Sequence, residues 1–149
     1  MNMTIKQIRR WAAAVAAICL LTLFLPLYGM TAFAATARIA FSDPTASVGS
    51  EINVKMKITS SDNLSTADIM LAYDPGSLEF IEGTNAEGGN GAVRVHGDGG
   101  GANTTTLAYD LKFKASAAGT SKITVTSQEI YDASSQIVTV DKQGESQVT

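Results

Sequence analysis

The sequence is poor in the residues that most often carry chemistry in proteins, with one cysteine, one histidine and one tryptophan. Cys19 and Trp11 both lie in the first 35 residues. A disulfide needs two cysteines, so the rest of the chain must be stabilised by its hydrophobic core alone. The single histidine, His96, excludes metal sites built from several histidines and makes any serine triad depend on that one residue.

Other signs of catalysis are also weak. The stretch "HGDGGG" at 96–101 is similar to the oxyanion loop of lipases, but no G-x-S-x-G nucleophile elbow accompanies it. We therefore interpret this stretch as a flexible hairpin loop. Asp98 within it lacks the regular series of oxygen ligands that calcium sites use. The sequence thus predicts no catalytic residue, no metal site and no cofactor, and we do not expect an enzyme.

Residues 1–34 have the three parts of a secretory signal peptide. A basic start at 6–10 precedes an uncharged, largely apolar run at 11–30. Ala32 and Ala34 then supply the small residues of an A-x-A cleavage site. We expect cleavage at or next to the bond after Ala34 and an extracellular product, either free or associated with the cell surface. An uncleaved membrane anchor is the competing interpretation of the apolar run.

The remaining residues, about 115 in number, correspond in size to one ordinary domain. They include all fourteen acidic residues of the chain but only eight basic ones, which gives a formal charge of −6. No basic patch is available to neutralise phosphates, so nucleic acid is not an expected partner. Once the signal peptide is removed, we do not expect a membrane contact either.

Alternation of apolar and polar residues, typical of half-buried strands, recurs throughout this domain. In "INVKMKI" (52–58), for example, every second residue is apolar. Turn signals rich in glycine, proline, asparagine and aspartate separate eight or nine such runs. This pattern predicts an all-β fold of two packed antiparallel sheets, a β-sandwich. The predicted core contains Ile52, Val54, Ile69, Leu71, Tyr73, Leu78, Phe80, Leu107, Tyr109, Leu111 and Phe113.

The stretch "ADIMLAYDPGSLEF" (67–80) has an unusual outward face. Its inward positions are apolar as expected, but its outward positions include Met70 and Ala72 beside Asp68. One interpretation is a central strand that a neighbouring loop partly covers. The other is a flat docking surface, where small and pliant apolar residues let a partner approach closely. The residues alone leave both interpretations open.

Three motifs follow one another along the domain in a fixed order. Val48-Gly49 precedes the first long strand, and a later strand ends in Tyr-Asp-Pro with a following leucine at 73–78. "LKFKASAAG" (111–119) then supplies a strand of the form L-x-F-K and a small-residue turn with glycine. Together these motifs resemble those of cohesin domains, the modules of bacterial scaffoldins in cellulosomes, and the resemblance spans residues 37–141. We interpret residues 142–149 as a polar tail or the start of a linker.

The resemblance implies a jelly-roll sandwich of about nine strands that binds a dockerin module through one flat sheet face. In cohesins an aspartate six residues before the Tyr-Asp-Pro aspartate is a recurrent contact, and that position is Asp68 here. Two residues earlier cohesins often have asparagine, where this chain has Thr66. The neighbouring strand near 92–96 would add two further side chains. The partner-binding residues implied in this way are Thr66, Asp68, Met70, Ala72, Arg94 and His96.

The function that follows is a secreted, non-catalytic scaffold or adaptor module. It would bind a dockerin-bearing protein, either an enzyme or another scaffold, in a cellulosome-like assembly that degrades polysaccharide. The alternative is a carbohydrate-binding module that binds polysaccharide directly. Such modules usually grip flat glycans with exposed aromatic rings, tryptophan above all. Because Trp11 lies in the signal peptide and most other aromatic residues occupy predicted core positions, the sequence favours the scaffold module.

Overall fold

The computed structural model describes residues 34–98 and 104–149, which contain ten strands and, within those ranges, no helix. Residues 1–33 of the predicted signal peptide lie outside the described part, so that prediction stays a prediction. In chain order the strands are β1 Thr36–Phe41, β2 Glu51–Ser60, β3 Leu64–Tyr73, β4 Leu78–Gly83, β5 Ala86–Gly89, β6 Ala92–Asp98, β7 Thr106–Ala115, β8 Ser121–Asp132, β9 Thr139–Gln143 and β10 Glu145–Val148.

The strands follow the order β10-β8-β3-β6-β5-β4-β7-β2-β1-β9 in one ten-stranded sheet that folds over as a sandwich. We call β10-β8-β3-β6-β5 the front sheet and β4-β7-β2-β1-β9 the back sheet. A single residue pair, Gly83 with Ala86, joins them at β4 and β5. The predicted all-β sandwich is therefore confirmed, with ten strands instead of about nine. Among the described residues one strand pair differs from the predicted antiparallel arrangement. This pair is β1 with β9, which run parallel.

The alternation in the sequence sets which side chains enter the core. Along β2 exposed and buried residues alternate without interruption, and the predicted inward positions of β3 and β7 are buried as well. Phe113 on β7 has edge-to-face contacts with Tyr73 on β3 and Phe80 on β4, with ring centroids 5.2 and 5.4 Å apart. The first of these contacts joins the two sheets. Phe80, although predicted as core, is only partly buried.

Two tight turns lie near the paired ends of β3 and β6, one leading from β3 to β4 and the other joining β5 to β6. After β3, the Asp74 carboxylate accepts hydrogen bonds from the Gly76 backbone N–H at 2.9 Å and the Ser77 hydroxyl at 2.7 Å. Between β5 and β6, Asn90 and Gly91 both have positive φ, of 52° and 93°, as a two-residue hairpin turn requires. A Cβ atom on Gly91 would also lie 3.2 Å from the Tyr73 carbonyl oxygen, so a larger residue would crowd the end of β3 in addition to the backbone strain.

The chain end differs from the sequence prediction. Residues 142–149 were expected to form a polar tail or linker, but 145–148 form β10, which pairs with β8 at the edge of the front sheet. Ser146 and Val148 point inward and are buried, and the Ser146 hydroxyl donates a hydrogen bond to the Ser42 carbonyl oxygen at 2.6 Å. The alternation was hidden because a serine occupies an inward position. The sandwich therefore extends beyond residue 141, to Val148.

Candidate partner-binding surface

The outer side of the front sheet brings the six predicted contact residues together. β3 lies between β6 and β8, and residues directly opposite each other on paired strands point to the same side. Asp68 lies opposite His96 on β6 and Glu129 on β8, and Met70 lies opposite Arg94 in the same way. We call this surface the front face, and its central residues are Thr66, Asp68, Met70, Ala72, Ala92, Arg94, His96, Ser127, Glu129 and Tyr131. Whether they bind a partner stays a prediction.

The apolar strip of the front face is open to solvent in part. Met70 and Ala72 are half-buried, and Ala92 beside Ala72 is exposed. A bulge in β8 lies next to this strip, because the β3–β8 register shifts between Met70 and Leu71. There the Thr126 hydroxyl donates a hydrogen bond to the Met70 carbonyl oxygen at 3.2 Å. The strip is thus a flat, partly apolar band that a partner could reach.

Asp68 forms a two-point ion pair with Arg94. The Arg94 Nε donates to one carboxylate oxygen at 3.0 Å, and Nη2 donates to the other at 2.5 Å. The hydrogen bonds from Arg94 hold the pKa of Asp68 below its ordinary value, and Asp68 in turn raises the pKa of the guanidinium. Both side chains remain well exposed, at 39% for Asp68 and 49% for Arg94. A partner could therefore contact both members of the pair.

A third charge extends this pair across the sheet. Glu87 on β5 lies opposite Arg94, and its Oε1 is 4.0 Å from Arg94 Nη1 and 4.0 Å from His96 Nε2. Glu129 lies on the other side of Asp68. The end of the face around Asp68 thus carries more carboxylates than cations. These side chains surround an open depression lined by Thr66, Ala67, Asp68, Arg94, His96, Gly97, Asp98, Glu129 and Tyr131.

The β8 side chains of the front face were missed at the sequence level. Apolar and polar residues alternate clearly only over 122–126 of this strand, whereas β8 continues to Asp132. Its second half carries Ser127, Glu129 and Tyr131 onto the face. The residue that could have indicated a longer strand is Ile130, an apolar side chain that is buried between polar neighbours. The bulge shifts the phase of the alternation before that residue, so the strand does not read as one continuous pattern.

The outer side of the back sheet has a different character. Asn53, Lys55 and Lys57 on β2 lie opposite Lys112, Asp110 and Ala108 on β7. Lys112 Nζ donates a hydrogen bond to Glu82 Oε1 at 2.6 Å. Such a ladder of charged and polar groups is typical of a solvated surface. The partly apolar front face is therefore the better candidate for a protein contact.

The described residues show few features of other kinds of site. Within 34–98 and 104–149 no group of three or more potential ligands is placed to hold a metal ion. No helix of that part is long and apolar enough to cross a membrane. Of the six described aromatic residues, Tyr131 is the one on the front face, while Tyr73, Tyr109 and Phe113 are buried. One ring does not form the coplanar platform that flat glycans need.

Comparison with known proteins gives matches at the level of structure. No family model and no curated protein matches the sequence. A non-cellulosomal cohesin from the hyperthermophilic archaeon Archaeoglobus fulgidus is 22% identical, with a TM-score of 0.59, over 76% of this chain and 91% of its own. The sixth cohesin of Acetivibrio cellulolyticus scaffoldin B, solved with a dockerin, is 19% identical, with a TM-score of 0.62, over 76% and 98%.

A third match is the cohesin of a type I cohesin–dockerin complex from Clostridium thermocellum. It is 16% identical, with a TM-score of 0.64, and the match covers 76% of this chain and 99% of that cohesin. The matched part is thus nearly a whole cohesin module in each case. The resemblance predicted from the Tyr-Asp-Pro and neighbouring motifs is confirmed at the level of the fold. The chain has the cohesin fold.

Proposed function

We propose that this protein is a secreted, non-catalytic scaffold or adaptor module whose front face binds a dockerin on a partner protein. The observation that carries the proposal is the fold. It matches 98% and 99% of the length of two cohesins solved in complex with dockerins. The partner would be an enzyme or another scaffold protein, assembled for polysaccharide degradation.

The front face supports the proposal by its composition. A band of small and flexible apolar side chains, Met70 with Ala72 and Ala92, gives a partner a surface that can be desolvated at little cost. The charged groups around Asp68 lie beside that band and can fix the register of a partner by hydrogen bonds and charge. This division into an apolar centre and a polar border is the usual anatomy of a protein–protein contact.

A defined binding experiment tests the proposal. Purified protein is titrated with individual dockerin modules encoded in the same genome, and binding is measured by calorimetry. Insoluble cellulose and xylan serve in parallel pull-downs, and glycoside and ester substrates in turnover assays. We expect saturable binding of at least one dockerin. Retention on cellulose or xylan without dockerin binding would favour the carbohydrate-binding alternative, and turnover of a substrate would contradict a non-catalytic role.

A further inference from the structure

The ion pair between Asp68 and Arg94 changes what a partner meets at the centre of the front face. Asp68 is the expected hydrogen-bond acceptor, but both of its oxygens already accept hydrogen bonds from the guanidinium. A carboxylate has about four acceptor sites and a guanidinium five N–H donors. Two donors are used within the pair, so both residues keep capacity for a partner. The Arg94 Nη1 group is 4.0 Å from Glu87, which is too long for a hydrogen bond.

The geometry across the strands explains why the pair forms. Asp68 lies directly opposite His96, and Arg94 lies opposite Met70. The two charged residues are therefore diagonal neighbours, at a spacing that a long side chain can bridge. In reaching Asp68, the arginine lies in the same part of the face as Met70, at the border of the apolar band. A partner that covers Met70 would therefore remove the ion pair from water as well.

We infer that a dockerin recognises Asp68 and Arg94 as one paired unit, with Arg94 acting as a specificity-determining residue of this face. This inference rests on the proposed function. A carboxylate covered by a partner without its arginine would be a buried, uncompensated charge, and so would the arginine without its carboxylate. Together they are close to neutral, and each offers free groups to the partner. The partner surface should accordingly place a hydrogen-bond acceptor near Arg94 beside a donor for Asp68.

A double-mutant cycle tests the inference. Asp68→Ala and Arg94→Ala should each weaken dockerin binding by about tenfold or more, because each leaves the other charge buried and unpaired. The double variant should bind more tightly than either single variant, since no charge is stranded. Arg94→Lys keeps the charge but loses the two-point geometry, so it should fall between wild type and Arg94→Ala.

A matched control comes from the back sheet. The Lys112–Glu82 pair is also a short, exposed ion pair, and Lys112→Ala should leave dockerin binding unchanged. A readout without any partner is also available. The pKa of Asp68, followed by carboxyl NMR during an acid titration, should rise in Arg94→Ala and respond less in Arg94→Lys. This separates loss of the ion pair from unfolding, which the same spectra would reveal.

The outcomes separate the inference from the proposed function. Loss of binding in both single variants with partial recovery in the double variant would support the paired unit. The inference would be overturned if the double variant lost as much binding free energy as the two single variants together. It would also be overturned if Arg94→Ala bound the dockerin as well as or better than wild type. Either result would leave the proposed function standing. Failure of the wild-type protein to bind any dockerin would overturn both.

Discussion

Tyr73 and Phe113 pack edge to face across the sandwich, with ring centroids 5.2 Å apart and planes at 76°. Tyr73 ends β3, the central strand of the front sheet, and Phe113 lies on β7 of the back sheet, between β4 and β2. Edge-to-face contacts of this kind contribute beyond the burial of apolar area. The strand that carries the candidate surface is therefore fixed to the opposite sheet at the point where its chain turns.

This packing predicts large stability losses from core truncation. Leu71 and Phe113 are almost completely buried, and changing either to alanine should lower the free energy of unfolding by about 2–5 kcal/mol. Denaturant unfolding of each variant gives the value. The matched control is Ile137→Ala, because Ile137 is 69% exposed and should change stability by less than about 0.5 kcal/mol. An unchanged unfolding midpoint in Leu71→Ala would contradict the strand phase.

Removal of the last strand should also destabilise the sandwich. A chain that ends after residue 144 lacks β10, which leaves the edge of β8 at 121–124 unpaired and removes the buried Val148 side chain. We expect a lower melting temperature and added exposure of hydrophobic surface, measured by thermal melts and dye binding. Gln147→Ala, at an exposed position of the same strand, is the control. A truncated chain that melts like wild type would mean that β10 contributes nothing to the fold.

The turn after β3 should respond to acid through Asp74. Hydrogen bonds from Ser77 and the Gly76 backbone hold the pKa of Asp74 below its ordinary value. A carboxyl whose pKa is lower in the folded state stabilises that state above its unfolded pKa, and this stabilisation is lost as the pH falls through the folded value. Ser77→Ala should raise the pKa of Asp74, measured by carboxyl NMR. No rise in that variant would contradict the hydroxyl as the main cause.

Asp68 should matter for binding much more than for folding. Its ion pair with Arg94 is exposed, and solvent screening leaves such pairs with little net effect on stability. Asp68→Ala should therefore melt close to wild type. When a partner is bound, however, the alanine would leave a donor of the partner and the Arg94 guanidinium unpaired, so binding should weaken by about tenfold or more. Thermal melts beside calorimetry separate the two effects, and an unfolded Asp68→Ala variant would show that the aspartate is structural.

The regular part of the fold could be predicted from the sequence because alternation reports burial directly. In β2, β3 and β7 the inward residues are apolar except Ser60 at the end of β2, and the phase assigned there is the phase observed. β8 and β10 could not be predicted in the same way. In β8 a bulge shifts the phase between Val125 and Ile130, and in β10 the buried Ser146 replaces an apolar signal with a hydrogen bond to the Ser42 backbone.

The candidate surface was predictable in part. The positions on β3 and β6 follow from the alternation and the resemblance to cohesins, and the structure places them on one face. The contribution of β8 depends on which strands are neighbours, which a single sequence does not reveal. The link between Asp68 and Arg94 was missed because it is a diagonal contact. It needs the exact register of two strands separated by the β4–β5 segment.

The most direct test of a dockerin-binding front face is calorimetry of Met70→Lys against wild type with a dockerin that the wild-type protein binds. Met70 lies in the apolar band, half-buried and next to Arg94. A lysine there would place a charge in the dry centre of the contact, which is costly without a partner charge. We expect a melting temperature close to wild type and binding weakened at least about tenfold. Unchanged affinity in a folded Met70→Lys protein would contradict the front face as the binding surface.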